Sequence, residues 1–125
     1  MKIYISYPIS GYDINERIEY GKNVSKIVSE KFPESEILTP FGMCPYDPNR
    51  SYGDCMKECL KNLYESDSII LCTDWIKSSG CREEYFIACN HDINIYETDG
   101  AYVQELGPGV KEKYMLQCAI KSLNK

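Results

Sequence analysis

The chain has 125 residues, enough for one domain and too short for two lobes closing on a cleft, so residues 1–125 are read as a single domain. Hydrophobic residues at 43% and charged residues at 26% are ordinary for a globular protein and argue against disorder. A net charge of −5 excludes a general nucleic-acid polymer binder, which needs a basic stripe to displace counterions; a local pocket for one small anion stays compatible with it.

Lys2–Ser6 (KIYIS) is short, β-branched and aromatic, and predicts a first strand. Tyr7–Asp13 carries Pro and Gly and predicts a loop. Ile18, Val24, Ile27, Val28 and Phe32 recur near helical spacing, so Asn15–Lys31 predicts a helix, with Asp13 and Glu16 as a capping-box-like start. Glu36–Thr39 predicts a second short strand before Pro40. Phe41–Ser51 reads as a long loop and a candidate lid. Ser51 is positioned to cap a helix over Tyr52–Ser66. Ser68–Thr73 is nearly all apolar, as in a strand buried on both faces. Ser78 and Ser79 precede a helix over Cys81–Asn90, and Ile93–Tyr96 predicts a fourth strand. Thr98–Gly109 is ambiguous, with a possible strand at Ala101–Leu106. Val110–Leu123 predicts a last helix.

Alternating strands and helices imply an α/β fold, a parallel sheet with helices on both faces, because right-handed crossovers place them there. In such sheets ligands bind beyond the carboxyl ends of the strands. That rule selects Tyr7–Asp13, Pro40–Ser51 and Asp74–Glu84. No apolar run approaches about 18 residues, so no membrane span and no membrane partner are expected. The start, MKIYISYPISG, turns polar before a signal-peptide core forms, so a cytoplasmic location is expected. Seven cysteines (Cys44, Cys55, Cys59, Cys72, Cys81, Cys89 and Cys118) form no C-x-x-C pair, and His91 is the single histidine. The odd count without a secretion signal predicts reduced thiols acting as small core residues, with no metal and no cofactor.

Ser78-Ser79-Gly80 at a helix start offers hydroxyls and free N–H groups to an anion, and Glu84 lies about one turn further on. The plainer alternative is an N-cap with acidic residues complementing the helix dipole. The loop after strand one, with Tyr7, Pro8, Ile9, Ser10 and Gly11, has the position of a phosphate-cradling turn but a single glycine, and such a loop commonly only reverses the chain. Trp75, after Asp74, is placed to stack on a base or simply to cover the core. Lys77 and Arg82 are solvated charges or phosphate partners. Tyr4 reads as a core aromatic.

The run from MKIYISYPISG through SYGDCMKECLKNLYESDSIILCTDW to SSGCREEYFIACNHDINIY resembles the nucleoside 2-deoxyribosyltransferase-like superfamily, in its small phage and bacterial branch. The likeness covers roughly residues 1–97, and its most specific part is Ser78-x-Gly80-x-x-x-Glu84-x-x-x-Ala88 after a D-x-I-x-L strand and Trp75. The resemblance implies a flavodoxin-like three-layer sandwich with a mostly parallel four- to five-stranded sheet. It implies cleavage of an N-glycosidic bond, with Glu84 as nucleophile, Tyr4 orienting it, and a sugar or phosphate loop over Tyr7–Gly11 continuing from Ser6. Serine at Ser78, where nucleoside-specific members carry aspartate, implies a nucleoside 5′-monophosphate. The chemistry agrees, since a hydroxyl at a helix start donates to phosphate and a carboxylate repels it.

The resemblance further implies an acid assisting the leaving group just before Leu60. That place holds Cys59, and Glu58 or Asp74 is the expected substitute. The expected reading is an N-glycosidase or deoxyribosyltransferase-type enzyme acting on a small nucleotide or nucleoside. The alternative is a non-catalytic nucleotide or nucleotide-signal binder. A homodimer is expected by the same resemblance.

Overall fold

The computed structural model describes residues 1–123. Its strands are β1 (Lys2–Ser6), β2 (Glu36–Leu38), β3 (Ser68–Leu71), β4 (Asn94–Thr98) and β5 (Val103–Glu105). Its helices are α1 (Ile14–Lys31), α2 (Pro40–Met43), α3 (Tyr52–Tyr64), α4 (Ser79–Asn90) and α5 (Pro108–Leu123), with a 3₁₀ turn at Trp75–Lys77. The strands form one sheet in the order β2-β1-β3-β4-β5. Pairings β1–β2, β1–β3 and β3–β4 are parallel, and β4–β5 is antiparallel. This is the flavodoxin-like α/β arrangement, with the sheet at five strands and one antiparallel edge.

Strand alternation sorts the core into two layers. Ile3, Ile5 and Ile70 face α1, packing with its Val24 and Val28. Tyr4, Ile69 and Leu71 face the other way, into a cluster with Leu63 of α3, Tyr85 of α4 and Cys118 of α5. The two central strands are therefore buried on both sides, as the continuous apolar run of β3 requires.

Side chains set the helix starts. Asp13 accepts from the Glu16 N–H at 2.9 Å, Ser51 from the Asp54 N–H at 3.1 Å, and Ser78 from the Cys81 N–H at 3.3 Å. Each satisfies a donor that the helix leaves unpaired, worth about 1 kcal/mol. No helix among the described residues is long and apolar enough to cross a membrane.

Three expectations are corrected. Phe41–Ser51 is not all loop: Thr39 caps the short helix α2, accepting from the Gly42 N–H at 3.1 Å. The ambiguous stretch after β4 gives β5, shorter than Ala101–Leu106, returning antiparallel through a turn at Asp99–Gly100 where Gly100 has φ +96°. The cysteines are not all reduced: Cys44 and Cys55 form a disulfide with Cα atoms 5.7 Å apart. The helical turn of α2 brings Cys44 back against the start of α3, a proximity that residue spacing alone does not reveal. The bridge closes a loop with a sequence separation of 11. Its reduction is expected to lower stability by about 2–3 kcal/mol through loop-closure entropy. Urea unfolding with and without a thiol reductant measures this, with a Cys44→Ser/Cys55→Ser double variant insensitive to the reductant.

Candidate active site

Tyr4 and Ser6 are two residues apart on β1, so both side chains leave the same face of the sheet. Above that face lies α4, with Glu84 in its second turn. The Tyr4 hydroxyl donates to Glu84 Oε2. The Ser6 hydroxyl donates to Glu84 Oε1 at 2.7 Å. Both carboxylate oxygens are thus held by hydroxyls from one strand. Ser6 is the last residue of β1, so the carboxylate stands at the carboxyl end of a central strand, where the fold places ligands.

The cluster is buried: Tyr4 and Ser6 are each 1% exposed and Glu84 is 8% exposed. Among the described residues no Lys, Arg or His pairs with Glu84. Burial pushes the Glu84 carboxyl up to about 7, while the hydrogen bonds from Tyr4 and Ser6 pull the other way. Burial and the neighbouring Glu84 charge push the Tyr4 phenol well above its ordinary value. Tyr4 therefore stays protonated and serves as a donor. Burial also raises the thiols of Cys59 and Cys81 to about 11 each, with the Glu84 charge adding to the rise. The groups packed on Glu84 are thus hydroxyls and neutral thiols, with the exposed Glu83 carboxylate next along the helix adding to the rise of the Glu84 carboxyl.

The other expected site residues fall in three places. On the first loop, Tyr7 points to the opposite face: it is buried against α1, and its hydroxyl donates to the Arg17 carbonyl at 3.0 Å. Gly21 permits this, since a Cβ there would lie 2.5 Å from the Tyr7 hydroxyl. Pro8 offers its carbonyl to Arg17 at 3.1 Å. Arg17 is enclosed by aromatic rings, 4.2 Å from the Tyr12 centroid and 4.3 Å from that of Tyr20. Ile9 packs on the α1 layer, and Ser10 and Gly11 are exposed. Gly11 has φ +87°, a left-handed turn that glycine adopts without strain.

At the start of α4, Ser78 is the N-cap, Ser79 is exposed and Gly80 is half-buried in the first turn. Asp74 and Trp75 line a separate cleft of about 420 Å³ at the ends of β3 and β4, with Glu97, Asp99, Tyr102 and Tyr114. Trp75 is buried there, its indole N–H donating to Glu97 at 3.2 Å and its ring 5.0 Å from that of Tyr85. It is a wall of the cleft, not an open stacking platform. Asp74 pairs with Lys77 at 3.3 Å.

Glu58 does not join Tyr4 and Glu84. It is exposed on α3, and the adjacent Cys59, buried in the cluster with Tyr4, occupies the inward position. One residue along a helix turns a side chain by about 100°, which separates the two. The bond from Ser6 to Glu84 was not legible as such: Ser6 stood out only as part of the loop. Its spacing of two from Tyr4 is the signal that carries it.

Two solved structures share the fold. One is a 2-deoxyribosyltransferase from Bacillus psychrosaccharolyticus, a biocatalyst for the synthesis of antiviral and antitumoral nucleosides. It matches with a TM-score of 0.59 at 14% identity, over 78% of this chain and 71% of that one. The other is a conserved protein from Enterococcus faecalis V583, with a TM-score of 0.58 at 17% identity, over 99% of this chain and 74% of that one. The chain shares the α/β architecture of these two proteins. By sequence, the chain belongs to the DUF4406 family, a domain of unknown function whose family model matches residues 1–97. Comparison with curated protein sequences gives no match.

Proposed function

We propose that the protein cleaves the base–sugar bond of a nucleoside 5′-monophosphate, as an N-glycosidase or a deoxyribosyltransferase-type enzyme, with Glu84 as the nucleophile. One observation carries this: a buried, unpaired carboxylate held by Tyr4 and Ser6 at the carboxyl end of β1. Glu84 attacks C1′ through an oxocarbenium-like transition state, and the sugar ester is taken by water or by a second base. The two hydroxyls fix the carboxylate in one rotamer, which lowers the cost of orientation. The start of α4, with Ser78, Ser79 and Gly80, supplies hydroxyls and N–H groups to the phosphate.

The test is incubation with a panel of nucleoside 5′-monophosphates and chromatography of the released base. Release of at least one base supports the reading, and its absence across the whole panel overturns it. A second reading is favoured by the exposure of Glu58: among the described residues, no second carboxyl group is bonded into the Tyr4–Ser6–Glu84 cluster. In it the site at Glu84 binds a nucleotide or nucleotide signal without turnover. Calorimetric binding with the ligand recovered intact distinguishes the two.

A further inference from the structure

Enzymes that break glycosidic bonds ordinarily set two carboxyl groups across the bond, one to protonate the departing group. Among the described residues, Glu84 is the one carboxyl group bonded into the Tyr4–Ser6 cluster. Glu58 and the neighbouring Glu83 are both exposed. Asp74 is tied to Lys77 and lines the other cleft. Tyr4 is committed as a donor to Glu84 itself. The inward residue of α3 is a buried, neutral thiol, Cys59.

Building on the proposed reaction, we infer that its substrates are nucleotides whose base leaves without being protonated: N-ribosyl pyridinium 5′-phosphates, with a single carboxylate, Glu84, doing the work. A purine or pyrimidine leaves as an anion unless an acid supplies a proton. A pyridinium already carries the positive charge. When its C1′–N bond breaks, the electron pair returns to the ring nitrogen and a neutral pyridine departs. Glu84 forms the ester bond to C1′ in the same event. Water then bonds to C1′, the ester bond breaks back to the carboxylate, and the water's proton goes to solvent. No second acid is needed at any point.

The experiment compares nicotinamide mononucleotide with AMP, CMP and dUMP at equal concentration, following base release by chromatography. The expected result is cleavage of the pyridinium nucleotide at least about 10²-fold faster, the smallest contribution usually made by a general acid. A pH profile of kcat/KM for the pyridinium substrate is expected to rise through about 7 as Glu84 ionises and to stay level above that, with no alkaline fall from the loss of an acid. Equal or faster release of the ordinary bases overturns this inference and leaves the glycosidase reading intact. A falling alkaline limb between neutrality and pH 9 likewise overturns it. No release from any of the four, pyridinium included, overturns both.

Discussion

From the proposed reaction, Glu84→Gln is expected to abolish base release, by on the order of 10⁴- to 10⁶-fold, the loss that follows removal of a covalent nucleophile. The same variant is expected to be more stable than the natural protein at alkaline pH. In the folded chain burial holds the Glu84 carboxyl at about 7, against an ordinary value of 4.5. Between those values the folded state keeps a proton that the unfolded state has lost. Stability therefore falls as pH rises from 4.5 to about 7, and stays at its lower level above. Glutamine has no proton to lose; its carbonyl accepts from one of the two hydroxyls, and its amide N–H donates to the oxygen of the other. The gain expected at pH 8 is up to about 3 kcal/mol, shrinking toward zero at pH 4.5. Urea unfolding at the two pH values measures it. Identical pH dependence in variant and parent would mean that the carboxylate is not buried in solution.

Leu63→Ala carries the second large effect. Leu63 is fully buried (0% exposed) on α3 and packs in the cluster that holds Tyr4, Cys59, Ile69 and Leu71. Truncation removes the transfer energy of the lost methyl groups and leaves a cavity between α3 and the sheet. The expected loss is about 2–5 kcal/mol, read as a lower urea midpoint with an unchanged slope. Leu116→Ala on α5 is the control: Leu116 is 64% exposed, and its loss is expected to stay within about 0.5 kcal/mol. A comparable cost at both positions would contradict the layering described above.

Periodicity carried most of the architecture. Lys2–Ser6 and Ser68–Thr73 read as strands because β-branched and aromatic runs of that length have few other uses, and β1 and β3 lie there. Helix starts were legible because Asp13, Ser51 and Ser78 bond their own third neighbours, a local interaction. Long-range partners were not legible in the same way. The Cys44–Cys55 bridge depends on how α2 turns the chain, and a one-turn helix leaves too few residues for a periodic pattern. The contact between Ser6 and Glu84 spans 78 residues, and only the assembled sheet brings them together. Tyr7 illustrates the converse: a polar-tipped residue in a glycine-bearing loop is turned inward because its ring fills the space that Gly21 leaves open.

Tyr4 and Ser6 sit on alternate positions of one strand, with Ile3 and Ile5 between and before them on the opposite face. A shift of β1 by a single residue against β2 and β3 would exchange the two sets, presenting isoleucines to Glu84 and hydroxyls to α1. The force that prevents this is not in the site at all. It is the greasy packing of Ile3 and Ile5 against Val24 and Val28 on the far side of the sheet. The placement of Tyr4 and Ser6 beneath Glu84 is therefore an outcome of folding, and a substitution at Ile3 or Ile5 reaches that carboxylate without touching it.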